Sequence, residues 1–418
     1  MRLADSVAPL REPGFAWFYA ARLVSTSGST MAPIALAFAV LDVTSSASAL
    51  GLVLAARTVP MVFFLLLGGV VSDRFSRSLV MQASNLLSTG TQGVVAFLVI
   101  SGQANLWSLA LLEAANGTVS AFSMPAMTGI LPQLAPRTLL QQANALLSFS
   151  RAGLSVLGPT VAALLVVSVG SGWALAVDAA TWLVAAGLMT RVRLPARSSS
   201  GHDAGMLREL REGWSVFTGH TWLWVVVGGF AVLNAIHAGA WFTLGPALAR
   251  DTFGAAGWGL ILSAESVGLL LATVVMLQVR VRRPLLSGML GVALLGPALL
   301  TLGLDPRVGP MLVVAFFSGA GQEVFGIGWS VAIQENIDEA VLSRAYSYDA
   351  LGSFVAMPVG QIVYGPLGET FGYRDVLVVS GVAYLAVVLL VLSSRSVRRL
   401  RRAPSPGTVS HPTDRPAP

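Results

Sequence analysis

Eight ionisable residues stand inside long apolar runs of this chain: Arg22, Arg57, Glu113, Arg151, Asp178, His237, Glu265 and Glu323. A charge is costly in hydrocarbon, so each must face protein or a water-filled cavity. The chemistry open to them is narrow. A carboxyl can load and release a proton, an arginine can hold a carboxylate, and a histidine can titrate near neutral pH. Asn116, Asn234, Trp241, Gln322 and Trp329 stand on the same runs as Glu113, His237 and Glu323. Together they suit either a mixed polar and aromatic substrate cavity or ordinary helix packing. Other chemistries are excluded. With no cysteine there is no thiolate, disulfide or cysteine metal site. Histidines at 202, 220, 237 and 411 offer no metal-ligand spacing. There is no lysine, hence no phosphate-binding loop of the G-x-x-x-x-G-K type, and ATP hydrolysis by this chain alone is excluded. No cofactor is expected.

The elements that must position these residues follow from composition. The chain has 418 residues, 55% of them hydrophobic and 11% charged, with mean hydropathy +0.73. An average soluble domain is roughly a quarter charged, so a soluble enzyme and a disordered chain are both ruled out. Apolar runs fall at 15–41, 47–71, 79–100, 105–124, 141–168, 172–190, 222–246, 256–278, 285–303, 309–333, 348–365 and 375–394. Each is long enough for the about 20 residues that span a bilayer. The first is too long for the core of a signal peptide and reads as a retained span. The fold class expected is an all-α membrane protein with twelve transmembrane helices.

All 26 basic residues are arginine. With both termini cytoplasmic, 20 arginines fall in cytoplasmic segments and Arg250, Arg307 and Arg374 alone in outer loops. The positive-inside rule fixes that orientation and leaves the basic balance no nucleic-acid role. The organisation expected is a cytoplasmic N-terminus over 1–14, a six-helix bundle over 15–190, a cytoplasmic linker over 191–221, a second bundle over 222–394 and a basic, disordered cytoplasmic tail over 395–418. The bundles look duplicated. Gly51-Leu-Val-Leu-Ala-Ala-Arg57 aligns with Gly259-Leu-Ile-Leu-Ser-Ala-Glu265 at an offset of 208, and Leu140-Gln-Gln-Ala143 aligns with Leu342-Ser-Arg-Ala345 at 202. Parallel six-span repeats place a substrate site near the midplane between halves.

Between runs two and three stands Gly69-Val-Val-Ser-Asp73-Arg74-Phe-Ser76-Arg77-Ser78. This resembles the signature loop G-x-x-x-D-R-x-G-R-[RK] of the major facilitator superfamily. Gly69, Asp73, Arg74 and Arg77 match, while serine replaces the second glycine and the last basic residue. The resemblance implies two pseudo-symmetric six-helix bundles and a cytoplasmic gate at these four residues. Gly153-Leu-Ser-Val-Leu-Gly158-Pro159 resembles the antiporter motif of the superfamily's fifth helix, with Gly158-Pro159 in place and alanines for the final glycines. Arg11-Glu-Pro-Gly-Phe15, Leu131-Pro-Gln-Leu-Ala-Pro136, Asp178-Ala-Ala-Thr and Gln334 to Arg344 are similar to an efflux branch that includes enterobactin and macrolide exporters.

That resemblance implies roles. Runs four, seven and ten line its central cavity, which makes Glu113, His237 and Glu323 the better functional residues. Glu113 and Glu323 are expected to carry the proton ahead of Asp178. Runs five and eight are neighbours in that fold, so Arg151 with Glu265 is an expected buried pair, and Arg22, Arg57 and Asp178 are expected structural partners. The function implied is secondary active export of a small amphipathic organic molecule by proton antiport and alternating access, in a bacterial inner membrane, by a monomer. The alternatives are proton-coupled uptake on the same fold and, in another class, a membrane-embedded enzyme or non-transporting receptor.

Overall fold

The computed structural model describes residues 8–74, 76–192, 215, 217–279, 281–337 and 339–401. Twelve long helical segments follow in order: α1 (Pro13–Thr44), α2 (Ala47–Arg74), α3 (Arg77–Ile100), α4 (Leu106–Leu134), α5 (Leu140–Val169) and α6 (Ser171–Met189). The second six are α7 (Thr221–Asp251), α8 (Gly254–Gln278), α9 (Pro284–Leu304), α10 (Val308–Asn336), α11 (Glu339–Phe354 with Met357–Phe371) and α12 (Tyr373–Ser393). A short α13 (Arg395–Arg399) follows. The expected linker over 191–221 and tail over 395–418 lie mostly outside the described residues.

Among the described residues, eleven helices are long and apolar enough to cross a membrane. The twelfth is α4, 29 residues long, diluted by Glu113, Asn116, Thr118 and Ser120. Most of its polar groups find hydrogen-bond partners inside the bundle, as a span in lipid requires, while Glu113 Oε2 has none among the described residues. Asn116 accepts from Ser88 of α3 at 3.3 Å, and Glu113 accepts from Gln92 of α3 at 3.4 Å.

Two helices are interrupted where the site lies. α1 breaks at Thr30 and Met31, because Pro33 in the next turn brings no N–H to the ladder. α7 contains a π-helical stretch, His237–Leu244, just before Pro246. The Thr243 hydroxyl donates to the Ala238 carbonyl five residues back at 3.1 Å, and His237 packs tilted against Phe242, also five residues apart, at 4.9 Å between centroids. Both spacings belong to the wider π turn, a form concentrated at functional positions.

The packing repeats at an interval of six helices. α2 packs on α4 as α8 packs on α10; α3 on α4 and α6 as α9 on α10 and α12; α5 on α8 as α11 on α2. The last two contacts join the halves. The backbone contacts repeat as well. A Cβ on Gly117 of α4 would lie 2.0 Å from the Arg57 carbonyl of α2, and one on Gly319 of α10 would lie 1.9 Å from the Glu265 carbonyl of α8. These pairs are related by the sequence offsets, 208 and 202. Small residues here let helices approach to backbone contact, the main source of cohesion between spans. Gly319→Ala is therefore expected to lower stability by about 1–3 kcal/mol through overpacking, read as a fall in apparent melting temperature of the purified protein. An unchanged melting temperature would mean that this contact relaxes freely.

The start of α1 and the end of α6 lie at one end. Arg191, just past α6, sits 5.5 Å over the Trp17 ring at the start of α1. Among the described residues, the side-chain hydrogen bonds that cross between halves join Ser46 and Ser48 to Glu369, and Thr160 to Ser263. All lie in the half of the molecule away from Trp17 and Arg191.

Candidate functional site

The break in α1 and the π turn in α7 face one cavity between the halves, of about 250 Å³. Thr30, Pro33, Ser155 and Pro159 come from the first half, and His237, Glu265 and Gln322 from the second. Glu265 accepts from Gln322 Nε2 at 2.6 Å and from Trp241 Nε1 at 3.2 Å. Trp241 is fully buried and packs on Trp258. The carboxylate is thus held from behind and open toward the cavity. His237 Nε2 is buried with no hydrogen-bond partner among the described residues. The cavity therefore offers a held carboxylate, an amide and an unsatisfied imidazole nitrogen against apolar walls. That arrangement suits a small molecule with a few polar groups.

Of the expected cavity residues, His237 and Gln322 line this space and Trp241 supports it. The other three are taken up by neighbouring helices. Asn116 meets Ser88. The Asn234 amide donates to the Ser353 carbonyl at 2.9 Å. Trp329 Nε1 donates to Asp349 at 2.8 Å and its ring stacks on Phe325. The charged residues also sort differently from expectation. Arg151 and Glu265 do not pair: Glu265 takes its bonds from Gln322 and Trp241, and Arg151 lines a separate cavity with Arg22. Glu113, whose side chain is fully buried, pairs instead with Arg57, Nη1 to Oε2 at 3.5 Å. Glu323 accepts from Thr273 of α8 at 2.9 Å and is absent from the lining of the central cavity, which its neighbour Gln322 joins. Asp178 packs against Gly28 of α1, where a Cβ would lie 2.5 Å from its Oδ1.

At the end away from Trp17 and Arg191 the halves close on backbone. A Cβ on Gly51 of α2 would lie 1.9 Å from the Gln361 carbonyl of α11; its counterpart on Gly259 of α8 would lie 2.7 Å from the Pro159 carbonyl of α5. Gly158 lets α5 pass Thr30 at the break in α1, where a Cβ would lie 2.2 Å from its hydroxyl. So Gly158-Pro159 contributes both to the seam and to the cavity. Gly69, Asp73 and Arg74 lie on the last turns of α2 and Arg77 opens α3, but the side chains of this motif lie outside the described residues.

One contact had no place in the sequence reading. Glu369 of α11 accepts from the Ser46 hydroxyl at 2.7 Å, the Ser48 hydroxyl at 2.5 Å and the Ser48 backbone N–H at 3.0 Å. It caps the N-terminus of α2 from the other half, where a carboxylate also meets the positive end of the helix. The run Ser45-Ser46-Ala47-Ser48 is the signal for the cap, but nothing in it points to residue 369. Glu369→Ala should weaken closure at this end by about 1 kcal/mol, a fivefold change in the ratio of closed to open. Spin labels on Val43→Cys and Thr370→Cys, in a chain without cysteines, would report a longer distance gaining population. An unaltered distance distribution would reduce Glu369 to a surface cap.

Twelve helices in two repeated bundles, closed at one end around a cavity between them, have the architecture of a membrane transporter. The profile of the transmembrane secretion effector family matches residues 4–407. The chain belongs to that family of the major facilitator superfamily: it is a multi-pass membrane transporter, not an enzyme. It is 23% identical over 399 residues to macrolide efflux protein A of Streptococcus pyogenes, covering 92% of this chain and 97% of that one. It is 25% identical over 422 residues to the enterobactin exporter EntS of Escherichia coli O1:K1 / APEC, covering 95% and 96%. Among solved structures, the nucleoside transporter NupG superposes with a TM-score of 0.73 at 13% identity over 91% of this chain and 98% of that one. A bacterial homolog to the human lysosomal transporter Spinster, inward-facing and unoccupied, superposes with 0.65 at 16% identity over 97% and 100%. These last two likenesses concern the fold.

Proposed function

We propose that this protein exports a small amphipathic organic molecule across a bacterial inner membrane in exchange for protons, as a monomer with both termini cytoplasmic. The observation that carries export is the end-to-end similarity to two exporters. The arginine distribution supports the orientation, which puts the seam at Gly51 and Gly259 at the outer end. Substrate then enters between the halves from the cytoplasm and meets Glu265, His237 and Gln322, and the seam at Gly51 and Gly259 opens to release it outside.

Proton coupling is assigned to the carboxyls, with Glu113 first. Its fully buried position and its pairing with Arg57 support this. When Glu113 carries a proton it has no charge to hold Arg57, so loading changes an ion pair that bridges α2 and α4. Since α2 is also a seam helix, that change reaches the interface between halves. Glu323 and Asp178 are the secondary carriers in this scheme. Asp73, Arg74 and Arg77 with Gly69 are assigned the cytoplasmic gate by resemblance.

Flux in everted vesicles tests the reading with the compounds for which the relatives are named, a macrolide and enterobactin, and with rhodamine 6G. Accumulation in an acid lumen supports export. Loss of compound from the lumen on acidification would make the protein an importer.

A further inference from the structure

A second cavity, of about 290 Å³, lies in the first half between α1, α4 and α5. Arg22 and Arg151 both line it, with Tyr19, Thr26, Asn144 and Ser150. Arg22 is nine residues into α1 and Arg151 eleven into α5, about 14 and 17 Å from the helix ends at 1.5 Å per residue. Those depths approach the middle of a hydrocarbon core about 30 Å thick.

Two cations at such depth need a reason. A structural strut pairs opposite charges, as Arg57 and Glu113 do. Here the charges are alike, the lining holds no carboxylate, and neither arginine makes an ion pair among the described residues. Their mutual repulsion is uncompensated, and so is the desolvation of Arg22, the more enclosed of the two; Arg151 is exposed. An anion between them reverses both terms, since a guanidinium binds carboxylate, phosphate or sulfonate through two parallel hydrogen bonds. The rest of the lining fits the remainder of such a molecule. The Tyr19 and Ser150 hydroxyls, 2.5 Å apart, supply further polar contacts, and Phe18, Leu23 and Leu154 supply apolar wall.

We propose that this cavity binds the anionic group of an amphipathic organic molecule, with Arg22 and Arg151 as its two ligands. This deepens the transport reading and rests on it for the claim that the anion is cargo. A free organic anion and an anionic lipid headgroup share the chemistry, and the test separates them.

The probes are 1-naphthoate, its neutral analogue 1-naphthamide and the cation 1-naphthylmethylamine. Binding to the full-length protein in phosphatidylcholine nanodiscs is read by calorimetry. The wild type is expected to bind naphthoate about tenfold more tightly than naphthamide, with the amine weakest, and the preference should shrink with added salt. Arg22→Gln and Arg151→Gln should each erase the preference, and Arg22→Lys and Arg151→Lys should restore part of it. Equal affinities for the three probes on the wild type would overturn the proposal without any variant having to fold. So would an undiminished preference in both glutamine variants. Repeating the titration in phosphatidylglycerol nanodiscs assigns the source: a preference that survives belongs to a free anion, and one lost there alone belongs to a headgroup. Because binding is read without flux, failure here leaves export standing, and failure of export leaves this result standing.

Discussion

Glu113→Gln is expected to abolish transport driven by a pH gradient while substrate exchange persists. Glutamine keeps the shape and a hydrogen bond with Gln92, but it cannot titrate and gives Arg57 no charge. In the proposed antiport the proton binds the wild-type carboxyl from the acidic side and leaves on the alkaline side, so wild-type export should rise as the outside is made more acid. The variant should show no such rise, with accumulation down by at least roughly tenfold. Removing one charge of the pair also costs stability, less than the about 3–5 kcal/mol of a fully buried pair because Arg57 stays a third exposed, so poor folding must be separated from lost coupling. The double variant Arg57→Gln with Glu113→Gln removes both charges and should recover stability while coupling stays lost. Full pH dependence in a well-folded double variant would move coupling to Glu323 or another carboxyl.

Gly51→Val should hold the transporter away from the conformation described here. No side chain fits between α2 and the Gln361 carbonyl at 1.9 Å, and the obstacle is backbone that cannot swing aside. Gly259→Val meets the Pro159 carbonyl and the Ala163 methyl in the equivalent place. Because the proposed cycle must close this seam, transport should fall by roughly tenfold or more in each. The 43–370 label pair should shift to its long-distance population, which a mere loss of stability would not produce. Wild-type transport in both variants would show that the seam need not close on backbone.

The number of spans was legible because apolar length is a strong signal, and the duplication because Gly51 and Gly259 recur at a fixed offset. The structure uses those two glycines as equivalent halves of one seam. What stayed hidden depends on rotation about helix axes. The break in α1 and the π turn in α7 decide which side chains face the cavity, and neither alters hydropathy. Hence Asn234 and Trp329 read as lining but engage Ser353 and Asp349, and Arg151 read as the partner of Glu265. Glu369 was missed for a related reason. The eleventh apolar run ends at residue 365, before Pro366, yet the helix tolerates that proline and continues to Phe371. This carries Glu369 to the start of α2.

The most direct test of proton antiport is the response of a lumenal pH dye in everted vesicles whose lumen has been acidified. Adding a transported macrolide, enterobactin or rhodamine 6G should raise lumenal pH at once, because each molecule carried inward releases protons outward, and Glu113→Gln vesicles should give no response. A lumen that stays acid while the compound accumulates would contradict proton antiport, and one that acidifies further would place protons and substrate on the same side of the cycle.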